Sequence, residues 1–178
     1  MELQDSIKKR RSIRHFKPDK VPMERINEIV EKAVYAPSWK NTQVTRYYAI
    51  TNEVIKEKIR EGMPAFNHQA MNEAPVIVVS TVIKNRSGYT REGEFDTPKG
   101  KGWQMYDCGL SNMIFCLAAQ ELGLGTVIMG YYDQDIITKV LEIPDTQEVV
   151  SVIAIGYPDE EPMMPNRKGT DIILKIVE

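Results

Sequence analysis

Residues 103–129 read WQMYDCGLSNMIFCLAAQELGLGTVIM, and this run decides the fold class. From Trp103 to Leu122 the apolar residues Leu110, Met113, Ile114, Leu117 and Ala118 are packed around a helix that has few polar interruptions. That pattern predicts a central, largely buried helix. Leu122-Gly123-Leu124-Gly125 ends it on glycine, the residue that best accepts the conformation of a helix C-cap. Thr126–Met129 then reads as a short strand. Working outward, residues 75–83 (PVIVVSTVI) are nearly all apolar, as suits a strand covered on both faces. Residues 44–51 (VTRYYAIT) and Glu148–Ile155 are further strands, the last ending at Gly156-Tyr157-Pro158.

Helices fill the intervals. Residues 3–10 predict a short one. Pro22 opens a second, with Ile26, Ile29, Val30, Ala33 and Val34 as its apolar stripe and Pro37 as its stop. Glu53–Glu61, closed by Gly62, and Asp133–Glu142 add two more, and Asp171–Val177 is a final apolar segment. Residues 85–102 are polar and Gly-containing, of a length that in a compact domain means a functional lid or disorder. Four or five unevenly spaced strands mixed with helices, without repeats or an interior linker, predict a single α+β domain over residues 1–178.

Composition bounds the function. With 178 residues, 42% apolar and 27% charged, the chain is neither wholly disordered nor collagen-like nor a disulfide scaffold. No apolar run reaches the roughly 18 residues of a membrane helix. The start, MELQDSIKKRRSIRHF, has no apolar core of a signal peptide. Two cysteines give no disulfide framework, so a reducing, cytoplasmic setting is expected. A net charge of −2 argues against a general nucleic-acid binder. Against that background Lys8, Lys9, Arg10, Arg11, Arg14 and Lys17 form one basic knot.

Several chemistries find no support. Cys108 and Cys116, eight apart on an apolar helix, read as packing residues. His15 and His68 have no partner at metal-ligand spacing. Ser12 and Ser38 sit in no nucleophile elbow, and there is neither a P-loop nor a GxGxxG after a strand. The basic knot has three readings: a solvated helix end favoured by the helix dipole, a phosphate site completed by Ser12 and by Arg167-Lys168, and a contact with an anionic membrane. The last lacks an apolar face beyond Ile13 and Phe16. Ala36-Pro37-Ser38-Trp39-Lys40-Asn41-Thr42-Gln43 is a polar loop whose donors and acceptors suit a polar ring edge. The glycines flanking residues 126–129 would let a flat ligand approach the backbone.

Taken in order, Arg10-Arg11-Ser12-Ile13-Arg14, the 36–43 loop, Phe66-Asn67, the helix from Asp107 through Leu117-Ala118-Ala119, Leu122-Gly123-Leu124-Gly125-Thr126, Ile155-Gly156-Tyr157-Pro158 and Arg167-Lys168 resemble the nitroreductase family of flavin-dependent oxidoreductases. The resemblance implies an α+β three-layer sandwich, with a mostly antiparallel sheet between helices. It implies a homodimer with FMN at the interface, NADH or NADPH as hydride donor and a small-molecule electron acceptor, with no nucleic acid or membrane partner. Carried onto this chain, it assigns Arg10, Ser12 and Arg167 to the FMN phosphate, assisted by Arg11 and Lys168. Arg14 would approach the N1–O2 edge of the ring, and Pro37, Ser38, Trp39 and Asn41 would arrive from the partner subunit. Asn67 would bond the ring edge, and Met129-Gly130 would pack near N5. No side chain acts as acid, base or nucleophile; the cofactor carries the chemistry in a ping-pong cycle. Two positions depart from the family pattern: Val44-Thr45 where many relatives have Pro-Trp, and Ala70 where some have lysine. Two alternatives stay open, a specialised flavoenzyme on the same scaffold (dehalogenase- or dehydrogenase-like) and a non-catalytic module holding a phosphorylated metabolite.

Overall fold

The computed structural model describes residues 3–178. Four strands, β1 (Thr45–Ile50), β2 (Val76–Ile83), β3 (Gly125–Met129) and β4 (Gln147–Gly156), form one fully antiparallel sheet in the order β1-β2-β4-β3. The two central strands are buried on both faces. Ile77 and Val79 point into one apolar cluster while Val76 and Val78 point into the other, the alternation a pleated strand imposes.

Each face is covered by helices, giving three layers. On one side lie α2 (Met23–Ala33) and the 20-residue α5 (Gly102–Glu121), whose Ile26, Ile29, Phe115 and Ala119 meet Val76, Val78, Ile153 and Ile155. On the other lie α3 (Glu53–Glu61), α4 (His68–Glu73) and α6 (Gln134–Val140), with Ile59, Met71 and Ile137 against Ile77, Val79 and Val152. The expected helix of residues 3–10 is α1 (Leu3–Lys9).

Local chemistry explains the boundaries. Asn52 caps α3 by accepting the Ile55 N–H at 3.1 Å, and Asp133 caps α6 by accepting those of Asp135 and Ile136. Gly123, at φ +76°, ends α5: the Leu124 N–H reaches the Ala119 carbonyl at 2.9 Å and the Gly123 N–H that of Gln120 at 3.1 Å. Buried Lys56 closes the end of α4 by donating to the Ala74 carbonyl at 2.7 Å, with Glu53 balancing its charge.

The differences from expectation are local. Helix α4 and the turn before it (Ala65–Asn67) fill an interval where no element was expected. The apolar segment 171–177 gives only the four-residue helix α7 (Thr170–Ile173), and Ile172, Ile173, Leu174, Ile176 and Val177 stay exposed. Strands therefore number four. Among the described residues no helix is long and apolar enough to cross a membrane.

Candidate functional site

Two glycines opposite each other in the sheet, Gly125 and Gly156, shape the first half of the site. A Cβ on Gly125 would come within 2.6 Å of Ile13, and one on Gly156 within 2.6 Å of Pro75 and 3.0 Å of Phe16. Into the trough they leave runs the segment after α1. Ile13 donates its N–H to the Thr126 carbonyl at 3.0 Å, Ser12 bridges Thr126 in parallel, and Lys17 donates to the Tyr157 carbonyl at 2.9 Å. Gly125 thus serves the N-terminal segment rather than a flat ligand, a correction to the expectation above. Two carboxylates then hold consecutive backbone N–H groups: Glu160 those of Arg14 and His15, and Glu73 that of Phe16 at 3.0 Å.

This threading sets out the basic knot along the open edge of β3. Arg11 turns back, and its guanidinium bonds the Lys8 and Arg10 carbonyls at 2.7 and 2.9 Å, so the helix-end reading holds for that residue. Arg10 has no side-chain acceptor among the described residues, and exposed Arg14 has only a 3.4 Å contact to the Ser12 carbonyl. Three residues further along β3, about 10 Å away, lie Met129 and Gly130. The Met129 side chain is in the core, so the surface offered there is main chain beside exposed Gly130. Asn67 comes to the same end of β3, where its neighbour Phe66 meets Tyr131 edge to face at 6.0 Å. Both aromatics are exposed.

The second half stands at the opposite edge of the sheet. Pro37, Ser38, Trp39 and Asn41 lie in the loop between α2 and β1, three strand spacings or roughly 14 Å across the sheet. The loop borders a groove of about 370 Å³ between α2 and β1. Lys40, Asn41 and Gln43 all have left-handed backbone, at φ 45°, 55° and 47°, which non-glycine residues adopt only where their surroundings hold them. The Ser38 hydroxyl accepts the Gln43 N–H at 3.0 Å, and Gln43 in turn donates to Asn41 at 3.2 Å. Buried Trp39 Nε1, Thr42 Oγ1 and Tyr47 OH have no hydrogen-bond partner among the described residues.

Arg167 and Lys168 are exposed on the tail beyond residue 160 and, among the described residues, form no hydrogen bond or ion pair with Arg10 or Ser12. The structure therefore brings Arg10, Ser12, Arg14, Asn67 and Gly130 to one edge and residues 37–41 to the other. Burial pushes the Cys108 thiol up to about 11 and raises Cys116 as well, as their reading as packing residues requires. Sequence reasoning missed the supports: Glu73, Glu160, the exposed Phe66–Tyr131 pair, and Asp107. The available signal for Asp107 was the one charged residue in α5 before its terminal Glu121.

The Nitroreductase family profile matches residues 7–63 and 60–157. The chain belongs to the nitroreductase family. Among relatives within and around it, a Methanothermobacter thermautotrophicus protein of the NADH dehydrogenase/NAD(P)H nitroreductase type is 31% identical over 167 residues, covering 91% of this chain and 80% of that one. A nitrobenzene nitroreductase of Ectopseudomonas oleovorans is 29% identical over 200 residues, covering 88% and 87%. A structure from Exiguobacterium sibiricum, solved in complex with FMN, superposes with a TM-score of 0.87 over 99% of this chain and 98% of its own. At 22% identity that likeness establishes the nitroreductase fold, with its open antiparallel sheet between helices.

Proposed function

We propose that this member of the nitroreductase family is an FMN-dependent oxidoreductase that moves electrons from NADH or NADPH to a small acceptor of the nitroaromatic, quinone or flavin type. The observation that carries the reading is the β3 edge: an arginine without a protein acceptor, a hydroxyl and a second exposed arginine at one end, and open main chain at a glycine about 10 Å further on. That donor set fits a phosphate followed by a flat ring, since guanidinium groups and hydroxyls are the groups that chelate phosphate oxygens. FMN, when bound, supplies the redox chemistry, meeting donor and acceptor in turn at one open face.

The chain's own residues bind and orient. Arg10 and Ser12 hold the phosphate, with Arg167 and Lys168 closing over it. Arg11 fixes the main chain between them. Arg14 keeps positive charge at the ring's N1–O2 edge, where reduction gathers negative charge. Asn67 bonds the ring edge, and the Met129-Gly130 main chain borders the position of N5.

We further propose that the working unit is a homodimer, with Pro37, Ser38, Trp39 and Asn41 of one subunit completing the site of the other. Two features support this. The halves of the site lie at opposite edges of one sheet and do not meet within a chain. The tail past residue 160 leaves Met163, Met164, Ile172, Ile173 and Leu174 exposed, apolar surface that a partner would cover. Residues 85–102 fold back on themselves: Tyr89 pairs with Phe95, and the Asp96 N–H bonds the Gly88 carbonyl at 2.9 Å.

Purified protein tests the reading directly. It should be yellow or take up added FMN, and R10A should weaken FMN binding about tenfold to a hundredfold, the worth of a charge-assisted bond to phosphate. Colourless protein that ignores FMN overturns the assignment.

A further inference from the structure

We propose that Asp107 is a positioning residue of the flavin site, its buried carboxylate fixing the 36–43 loop and the 85–102 segment to α5 as one unit. The proposal deepens the reading above, because it rests on the 36–43 loop being a wall of the cofactor site. Asp107 is 2% exposed, in the second turn of α5, and is that helix's one charged residue before its terminal Glu121. Its Oδ2 accepts the Trp39 N–H at 3.0 Å and the Ser87 hydroxyl at 2.5 Å. One turn earlier, Gln104, 1% exposed, accepts the Asn85 N–H at 2.6 Å, at a residue whose backbone is left-handed. A buried carboxylate is tolerated when it is hydrogen-bonded, and here both donors to Oδ2 come from outside the helix, one from the 36–43 loop and one from the 85–102 segment.

Other contacts join the same segments at their surface. The Trp39 and Trp103 rings are 4.7 Å apart, Trp103 Nε1 donates to Thr97 Oγ1 at 2.9 Å, and Lys40 pairs with Asp96. Among the described residues no main-chain hydrogen bond links residues 36–43 to residues 85–102. Side chains alone make them a unit, and Asp107 is the buried one that touches both. The left-handed backbone at Lys40, Asn41 and Gln43 requires such external support. Removing the carboxylate strands the Trp39 N–H and the Ser87 hydroxyl, and the loop relaxes away from the geometry that walls the cofactor. Asparagine keeps one acceptor oxygen for the Trp39 N–H.

The chain's two tryptophans both lie in this unit, so tryptophan fluorescence reports on it alone. The test compares wild type, D107N and D107A by acrylamide quenching, by the rate of trypsin cleavage between Arg86 and Lys101, and by FMN titration. D107A should show stronger quenching, faster cleavage and FMN binding weakened about tenfold or more, while D107N recovers most of the affinity. FMN bound by D107A as tightly as by wild type overturns the proposal. Should D107A be too unstable to purify, D107N decides: it must fall measurably below wild type in loop order, and identity with wild type in all three measurements overturns the proposal. Wild-type protein that takes up no FMN sinks the flavoenzyme reading instead, and quenching and cleavage, measured without cofactor, still decide whether Asp107 holds the two segments.

Discussion

Gly125 shows how one missing side chain sets a functional segment. A methyl group there would overlap Ile13 at 2.6 Å and displace the strip that carries Arg10, Ser12 and Arg14. G125A should therefore destabilise the fold by about 1–3 kcal/mol, as overpacking does, and weaken FMN binding in parallel, read by thermal melting and titration. Glu73 guards the same strip from the other side. Hydrogen bonding from Gln69 first, then from the Phe16 N–H, with His15 beside it, holds its carboxyl below the usual range. A carboxylate with a lowered folded-state value stabilises above its ordinary pKa and loses that contribution as pH falls through the lowered one. Acid melting of wild type below about pH 4 should thus be partly lost in E73Q, which should be less stable than wild type at neutral pH and converge with it in acid. Neither residue was legible as a support. The strip, its glycine and its glutamate come from separate parts of the chain, and only the fold brings them into contact.

At the scale of elements, α5 and β3 were readable because one run of sequence carried an apolar helix, a glycine cap and a strand. Phe115, fully buried between α2 and the sheet, places that helix against the core, but the buried face differs from the one expected. Met113 is exposed and Leu110, Ile114 and Leu117 are only half-buried, while Gln104, Cys108, Asn112, Cys116 and Ala119 face inward. F115A should cost about 3–5 kcal/mol, seen as a fall in the denaturant midpoint without loss of the Trp39–Trp103 signal. Helix α4 was not readable. Its six residues bury only Ala70 and Met71, too few for a periodic stripe, and tertiary contacts with α3 supply the rest. The 85–102 segment shows a third situation. Its polarity announced a loop, but its order depends on Asp107 and Gln104, which contact it from within an apolar helix. The Asp107–Trp39 bond spans 68 positions of sequence, beyond any local pattern.

The whole molecule is a three-layer sandwich whose candidate site is split between the two edges of its sheet. The ordered motifs of the site were visible in the sequence. The distance between its halves was not, since it follows from the strand order β1-β2-β4-β3. If two chains share each cofactor, deleting residues 161–178 should remove both the exposed apolar tail and Arg167, leaving a smaller species with weakened FMN binding. The most direct test of the shared site is sedimentation velocity of the full chain with FMN, followed by flavin absorbance. The account predicts that flavin sediments with a species of two 20.3-kDa chains. Flavin travelling with a single chain, or not sedimenting with protein at all, would contradict it.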